Sequence, residues 1–318
     1  MNARYWLYEE MVEQLRAWQA RYPHLMRYEA IGDSPEQRRL WAVAITDGKT
    51  GGDREKSAVL VDANIHAGEV AGNAVAMFWI GTLLEQYGTD EEITALLQEH
   101  SVYVIPRIAV DGAERYLTTP DRLRSAPRLY PHSTPKAGWV AQDINHDGHI
   151  LWIRVPAKDG AYQIDARDPR LMVPREPGSV GGSYYHVFVE GAYVSVPDSL
   201  DQPVHALGAA PRYGLDFNRN FPIRWLVDHD QPGSGAYPLS EPETAALAQF
   251  VRRHPNIAAY AALHTCGGVI LRQPSTGDDD VLNTTDRELF RRSAQMGERV
   301  SGYFARSNYQ AFATQRDK

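Results

Sequence analysis

His66-Ala67-Gly68-Glu69 sets an imidazole and a carboxylate three positions apart, and zinc accepts both as ligands. The pair follows an apolar run, residues 57–63, that reads as a strand. In parallel sheets the C-terminal ends of strands are where α/β folds assemble their sites. On its own, a His-x-x-Glu turn is equally a solvated loop. His264 ends a second apolar run, residues 257–263, and so stands in the same kind of place. Its plain alternative is a histidine satisfied by local polar groups. Two imidazoles and one carboxylate around a single ion leave a fourth position open, which marks a catalytic rather than a structural zinc site.

Three further segments carry chemistry. In Asp216-Phe217-Asn218-Arg219-Asn220-Phe221, Asp216 and Asn218 alternate and so share one face if the segment is extended. A carboxylate beside a ligating histidine fixes its tautomer by accepting the second ring N–H. Asn218 and Arg219 together suit a carboxylate, because a guanidinium fork matches two oxygens. The alternative is a surface loop with ordinary ion pairs. Asp111-Gly112 and the arginines Arg122, Arg124 and Arg128 form another segment. An arginine above a metal ion stabilises an oxyanion, whereas an arginine-rich loop is otherwise a solvated face. Lastly, Asp143-Ile144-Asn145-His146-Asp147-Gly148-His149-Ile150 matches the first half of a calcium loop. Its twelfth position is Arg154, where a bidentate Glu is needed, so a full EF-hand is excluded. A tight turn into a strand is one reading; a weak calcium site using Asp143, Asn145 and Asp147 is the other.

These segments need a scaffold. Apolar residues at helical spacing predict a helix over 8–22, ended by Pro23. Residues 26–32 and 40–46 read as a hairpin, 57–63 as a strand, 71–85 as a buried helix, 90–98 as a shorter helix and 102–106 as a strand. Strand, helix and strand in that order predict a parallel sheet flanked by helices. From about 130 to 213, turns and short β-like runs replace the pattern, which predicts a β-rich insertion. Ser240 as N-cap with Glu243 three positions on makes a capping box for a helix reaching about 253. Residues 257–263 read as a buried strand and 286–304 as the last helix. The expected fold is α/β, with a mixed, largely parallel central sheet in one catalytic domain over 1–318.

Bulk properties bound the function. The chain has 318 residues, 43% hydrophobic, with a net charge of −7 and no basic run, which argues against nucleic acid. A single cysteine, Cys266, cannot form an internal disulfide. The most apolar stretch, 71–84, is too short to span a bilayer. No secretory signal is visible, so a cytoplasmic location is expected, or secretion if a leader is missing from this chain. No feature of the sequence sets an oligomeric state.

The ordered set of His-x-x-Glu after a strand, Asp-Gly…Arg, Asp-x-Asn-Arg-Asn-Phe, Pro-x-Ser-Glu-Pro-Glu-Thr and a strand-terminal His resembles the zinc carboxypeptidase family typified by carboxypeptidase A. The opening Ile31-Gly32, Ser34 and Arg38-x-Leu40-Trp41 is similar to that family's start. The resemblance covers roughly residues 5 to 310 apart from the insertion. It implies one zinc ion per chain held by His66, Glu69 and His264. It implies Arg124 as the oxyanion arginine, with Arg122 as the alternative. Asn218 and Arg219 would hold the free C-terminal carboxylate of a peptide, and Asp216 would support His66. The family also uses a general-base Glu and a closing Tyr after its second histidine ligand. No matching Glu follows His264, and Glu288 and Glu298 fall in the last helix. The expectation is a C-terminally truncated domain lacking its last strands, with weak hydrolysis and an open, aggregation-prone sheet edge. Two other functions stay open. One is an aspartoacylase-like zinc deacylase of N-acyl amino acids. The other is a non-catalytic protein that binds zinc and peptide.

Overall fold

A computed structural model describes residues 4–121, 123–128, 130, 139–193, 214–265 and 267–312. Arg122, Cys266 and part of the expected insertion lie outside the described residues. The chain divides into two compact units, Met1–His264 and Thr265–Lys318.

The first unit opens with α1 (Tyr8–Arg21), whose apolar face of Tyr8, Met11, Val12, Leu15 and Trp18 is buried. The Glu10 carboxylate accepts from the Leu7 N–H at 3.0 Å, closing the helix start. Then come β1 (Met26–Asp33), β2 (Arg39–Ile45), β3 (Ala58–Ala63), α2 (Val70–Gln86), α3 (Glu91–Glu99), β4 (Ser101–Ile105) and α4 (Val110–Thr118). Next are β5 (Trp139–Ala141), β6 (Trp152–Pro156), β7 (Tyr162–Ile164), β8 (Met172–Pro174), β9 (Tyr185–Val189) and β10 (Gly191–Tyr193). The unit ends with α5 (Pro242–Arg253) and β11 (Ile257–Leu263).

The central sheet runs β1-β2-β4-β3-β11. β3 pairs in parallel with β4 and β11, while β1 and β2 add antiparallel strands on one side. This is the mixed α/β sheet expected from the sequence. Every residue of β4 is buried, and Leu40, Ile45, Leu60, Val104, Met77 and Ile80 are fully enclosed in one core. Each such side chain contributes roughly 1.5–3 kcal/mol by leaving water. The insertion forms a four-stranded antiparallel sheet, β6-β9-β7-β8, and a separate β5–β10 pair.

Two contacts fix the strand ends that matter for the site. A methyl at Gly72 would lie 3.2 Å from the Leu263 carbonyl oxygen and 3.6 Å from the Ala63 side chain, so the first turn of α2 rests directly on the ends of β3 and β11. A methyl at Gly112 would lie 1.8 Å from the Ser125 carbonyl oxygen, so α4 admits the Arg124–Ser125 backbone only because residue 112 has no side chain. The neighbouring Asp111 turns the other way. It accepts from the Ser34 hydroxyl at 2.6 Å, the Glu36 N–H at 3.1 Å and Arg38 at 2.9 Å, which closes the β1–β2 turn.

The structure corrects several sequence expectations. β11 is not a buried strand: its five inner residues are exposed, and it is the outermost strand of its sheet among the described residues. Ser240 does not cap α5. Glu241 is the N-cap residue, Ser240 donates to the Glu241 carboxylate, and Glu243 turns toward Arg128. Helix α4 was not among the elements expected from the sequence.

The second unit holds β12 (Val269–Arg272), α6 (Thr284–Ser301), β13 (Phe304–Ser307) and α7 (Asn308–Phe312). β12 and β13 pair in parallel, where the sequence suggested mostly loop and helix. Among the described residues no helix is long and apolar enough to cross a membrane.

Candidate metal centre

His66 sits in the turn between β3 and α2, and Glu69 is the N-cap residue of α2. Helix formation there fixes the spacing: the Glu69 N–H donates to the His66 carbonyl at 3.1 Å. His264 follows the last residue of β11, the parallel neighbour of β3. Parallel pairing carries both strands to the same edge of the sheet, so two histidines almost two hundred residues apart meet.

The geometry is that of a chelate. His66 Nδ1 lies 2.7 Å from Glu69 Oε1, and His264 Nδ1 lies 2.9 Å from Glu69 Oε2. The two imidazole centroids are 5.0 Å apart. Among the described residues, this is the one group of three His, Cys, Asp or Glu side chains whose ligand atoms all lie within 4.8 Å of one another. Two nitrogens and one carboxylate around one point suit zinc with a free fourth position.

Asp216 completes the other side of His66. Its Oδ1 lies 3.1 Å from His66 Nε2 and also accepts the Asn218 N–H at 2.9 Å. Its Oδ2 accepts from Arg124 Nε at 3.0 Å. One carboxylate thus orients an imidazole, a guanidinium and the short helical turn Phe217–Arg219. With Nε2 facing Asp216, the His66 Nδ1 lone pair is directed toward Glu69 and the space an ion would fill.

Electrostatics follow the same contacts. Burial alone would lower the His66 pKa, but hydrogen bonds to Asp216 and Glu69 raise it. Burial would raise Glu69, but the two imidazoles bring it down to about 2. Asp216 is likewise buried, yet His66 and Arg124 hold it well below the usual carboxylate range. Anions poised in this way are ready to meet a cation.

Arg124 is half-buried, with Nη1 3.5 Å from Glu69 Oε1, so it stands beside the chelate. Arg219 and Asn218 are exposed. Among the described residues the Arg219 guanidinium bonds only the Asn218 carbonyl, at 3.1 Å, which leaves its fork directed at solvent. Sequence reasoning missed the residues that brace this set. Ser125 accepts the Phe217 N–H at 3.1 Å, and the Arg124 carbonyl accepts the Ala67 N–H at 2.7 Å. Their only sequence signal is proximity to Arg124.

The Asp143–Asp147 loop bonds itself. Asp143 Oδ2 accepts from the Gly148 N–H, Asn145 Oδ1 from the Asp147 N–H, and Asn145 Nδ2 donates to Asp147 Oδ2, each at 3.0 Å. Buried Glu190 accepts from the N–H groups of Ile144 at 2.9 Å and Leu151 at 3.1 Å. Those contacts are what a tight turn needs.

Comparison with known proteins places the whole chain. A profile described as zinc carboxypeptidase matches residues 11–169 and 195–316. Carboxypeptidase B2 of Bos taurus is 28% identical over 264 residues, covering 80% of this chain and 44% of the relative. Mast cell carboxypeptidase A of Rattus norvegicus is 27% identical over 169 residues, covering 53% of this chain and 35% of the relative. The chain therefore spans less than half the length of these curated relatives. Carboxypeptidase A from Helicoverpa armigera superimposes with a TM-score of 0.58 at 18% identity, over 97% of this chain and 58% of that one, which shows the shared fold. By the extent of the profile match, which takes in most of its residues, the chain belongs to the zinc carboxypeptidase family.

Proposed function

We propose that this protein is a zinc-dependent metallocarboxypeptidase that hydrolyses the last peptide bond of a substrate with a free C-terminal carboxylate. The observation that carries the proposal is the convergence of His66, Glu69 and His264 beside Arg124, on the side of His66 opposite Asp216. A zinc ion at this chelate supplies a Lewis acid and a water of lowered pKa. The chain's own groups do the rest. Asp216 holds the His66 ring and the Arg124 guanidinium in one arrangement. Arg124 offers N–H donors to the carbonyl oxygen on which charge develops. Asn218 and the solvent-facing fork of Arg219 receive the terminal carboxylate. One zinc ion per chain and a peptide ligand follow from this reading.

A second reading, zinc and peptide binding with little turnover, is favoured by one feature. Among the described residues, Asp216 and the chelating Glu69 are both committed to imidazoles. Neither is free to accept the proton of an attacking water.

Zinc content and hydrolysis of a blocked dipeptide, measured on this chain and on His66→Ala, test both readings. One zinc per chain, lost in H66A together with turnover, supports the peptidase. One zinc with no turnover selects the binding protein. Well-folded protein that takes up no zinc rules out both. Preference for an N-acyl amino acid over the dipeptide would select the deacylase instead.

A further inference from the structure

Arg128 lies four residues beyond Arg124 and contacts none of the chelate side chains. Its guanidinium reaches the start of α5, where Nη2 donates to the Glu241 carboxylate and stands 3.4 Å from Glu243 Oε2. Glu241 and Glu243 are 7% and 1% exposed. Buried ion groups of this kind add little net stability compared with apolar packing. Among the described residues Arg128 Nη1 is buried without a hydrogen-bond partner, so the arrangement is not optimised for stability.

What the triad joins is more informative. The segment carrying Arg124 is held at one end by the Arg124 carbonyl, which accepts from Ala67 beside the chelate. At the other end it is held by Arg128 on α5. The segment carrying Asn218 and Arg219 is also fixed to α5, through Asn220. Asn220 Oδ1 accepts from the Glu241 N–H at 3.2 Å and the Thr244 hydroxyl at 2.6 Å. Its Nδ2 donates to the Ser234 carbonyl at 2.7 Å and the Ser240 hydroxyl at 2.9 Å. Ser125 ties the two segments to each other through Phe217. The first turn of α5 is therefore the common anchor for both anion-binding segments.

We infer that Arg128 is a positioning residue: clamped by Glu241 and Glu243, it sets the register between Arg124 and the Asn218–Arg219 pair, and so the span over which one substrate's carbonyl and terminal carboxylate are held together. This rests on the carboxylate-receptor reading given above. A substrate lacking the terminal carboxylate uses only half of that span and is insensitive to it. Arg128 thus governs selectivity for the free C-terminus, while the ion site stands on β3, α2 and β11 and does not depend on it.

The test is calorimetric binding of N-acetyl-L-phenylalanine and of its amide to the zinc-loaded wild type, Arg128→Ala and Arg128→Lys, with zinc content and Tm recorded for each. Wild type is expected to prefer the carboxylate. R128A is expected to keep one zinc and bind the amide unchanged, while its affinity for the carboxylate falls about tenfold, the equivalent of 1.4 kcal/mol. R128K keeps the charge but not the fork that spans two carboxylates, so a partial loss is expected, and it decides the matter if R128A does not fold. Wild-type carboxylate preference in these variants overturns the inference alone. Loss of zinc together with the preference overturns it too, because Arg128 would then serve the whole site. A wild type with no carboxylate preference overturns the receptor reading and this inference with it.

Discussion

Asp216 accepts hydrogen bonds from the His66 ring, the Asn218 backbone and Arg124 at the same time. Its support of His66 is legible in the sequence, where a carboxylate beside a ligating histidine has an obvious use. Its hold on Arg124 is not, because 92 positions separate the two residues and no local pattern joins them. Asp216→Asn keeps an acceptor for the imidazole but removes the charge that both His66 and Arg124 face. Zinc affinity is expected to fall roughly 10–100-fold, the usual effect of losing such a partner. Competition against a chromogenic chelator measures this; wild-type affinity in D216N would mean the carboxylate does not tune the ligand.

At the level of single elements, α5 departs most instructively from its sequence. Ser240 and Glu243 have the spacing of a capping box, yet Ser240 bonds Asn220 and its neighbour Glu241, and Glu243 faces Arg128. A helix cap contributes only about 1 kcal/mol. Burial pushes the Glu243 carboxyl from its ordinary 4.5 up to about 7, with Arg128 opposing the shift and Asp111 and Glu241 adding to it. A raised folded-state pKa means the folded protein favours the neutral acid. The stability it contributes is therefore complete below pH 4.5 and lost as pH rises through about 7. Glu243→Gln should flatten this part of the profile, by an amount on the order of 3 kcal/mol between pH 4.5 and pH 8. Urea unfolding of wild type and variant across that range checks it, and parallel profiles would refute the assignment.

For the molecule as a whole, the edge of the central sheet is the feature with physical consequences. Among the described residues the outer side of β11 pairs with no strand, and Ala258, Ala259, Tyr260, Ala261 and Ala262 are exposed. Unpaired strand edges template association with other chains. A charge on such an edge blocks that pairing, so Ala261→Lys is expected to reduce concentration-dependent association without changing zinc content. Light scattering over a concentration series would show the difference; equal scattering would place the association elsewhere. The run Ile257–Leu263 reads as a buried strand because apolar composition reports that a segment pairs, not which strands flank it.

The sequence by itself determined the chemical inventory and the order of the scaffold. His66, Glu69 and His264 were legible as candidate ligands because residue type and position after an apolar strand are local properties. The mixed sheet followed from the order of strands and helices. Only the tertiary structure decided who stands beside whom. It spent Asp111 on the β1–β2 turn, gave Gly112 to the backbone of Ser125, joined Asp216 to Arg124 and set Arg128 between Glu241 and Glu243. In each case the partners lie far apart in the chain or compete with a stronger local pattern, and only packing brings such groups within hydrogen-bonding distance.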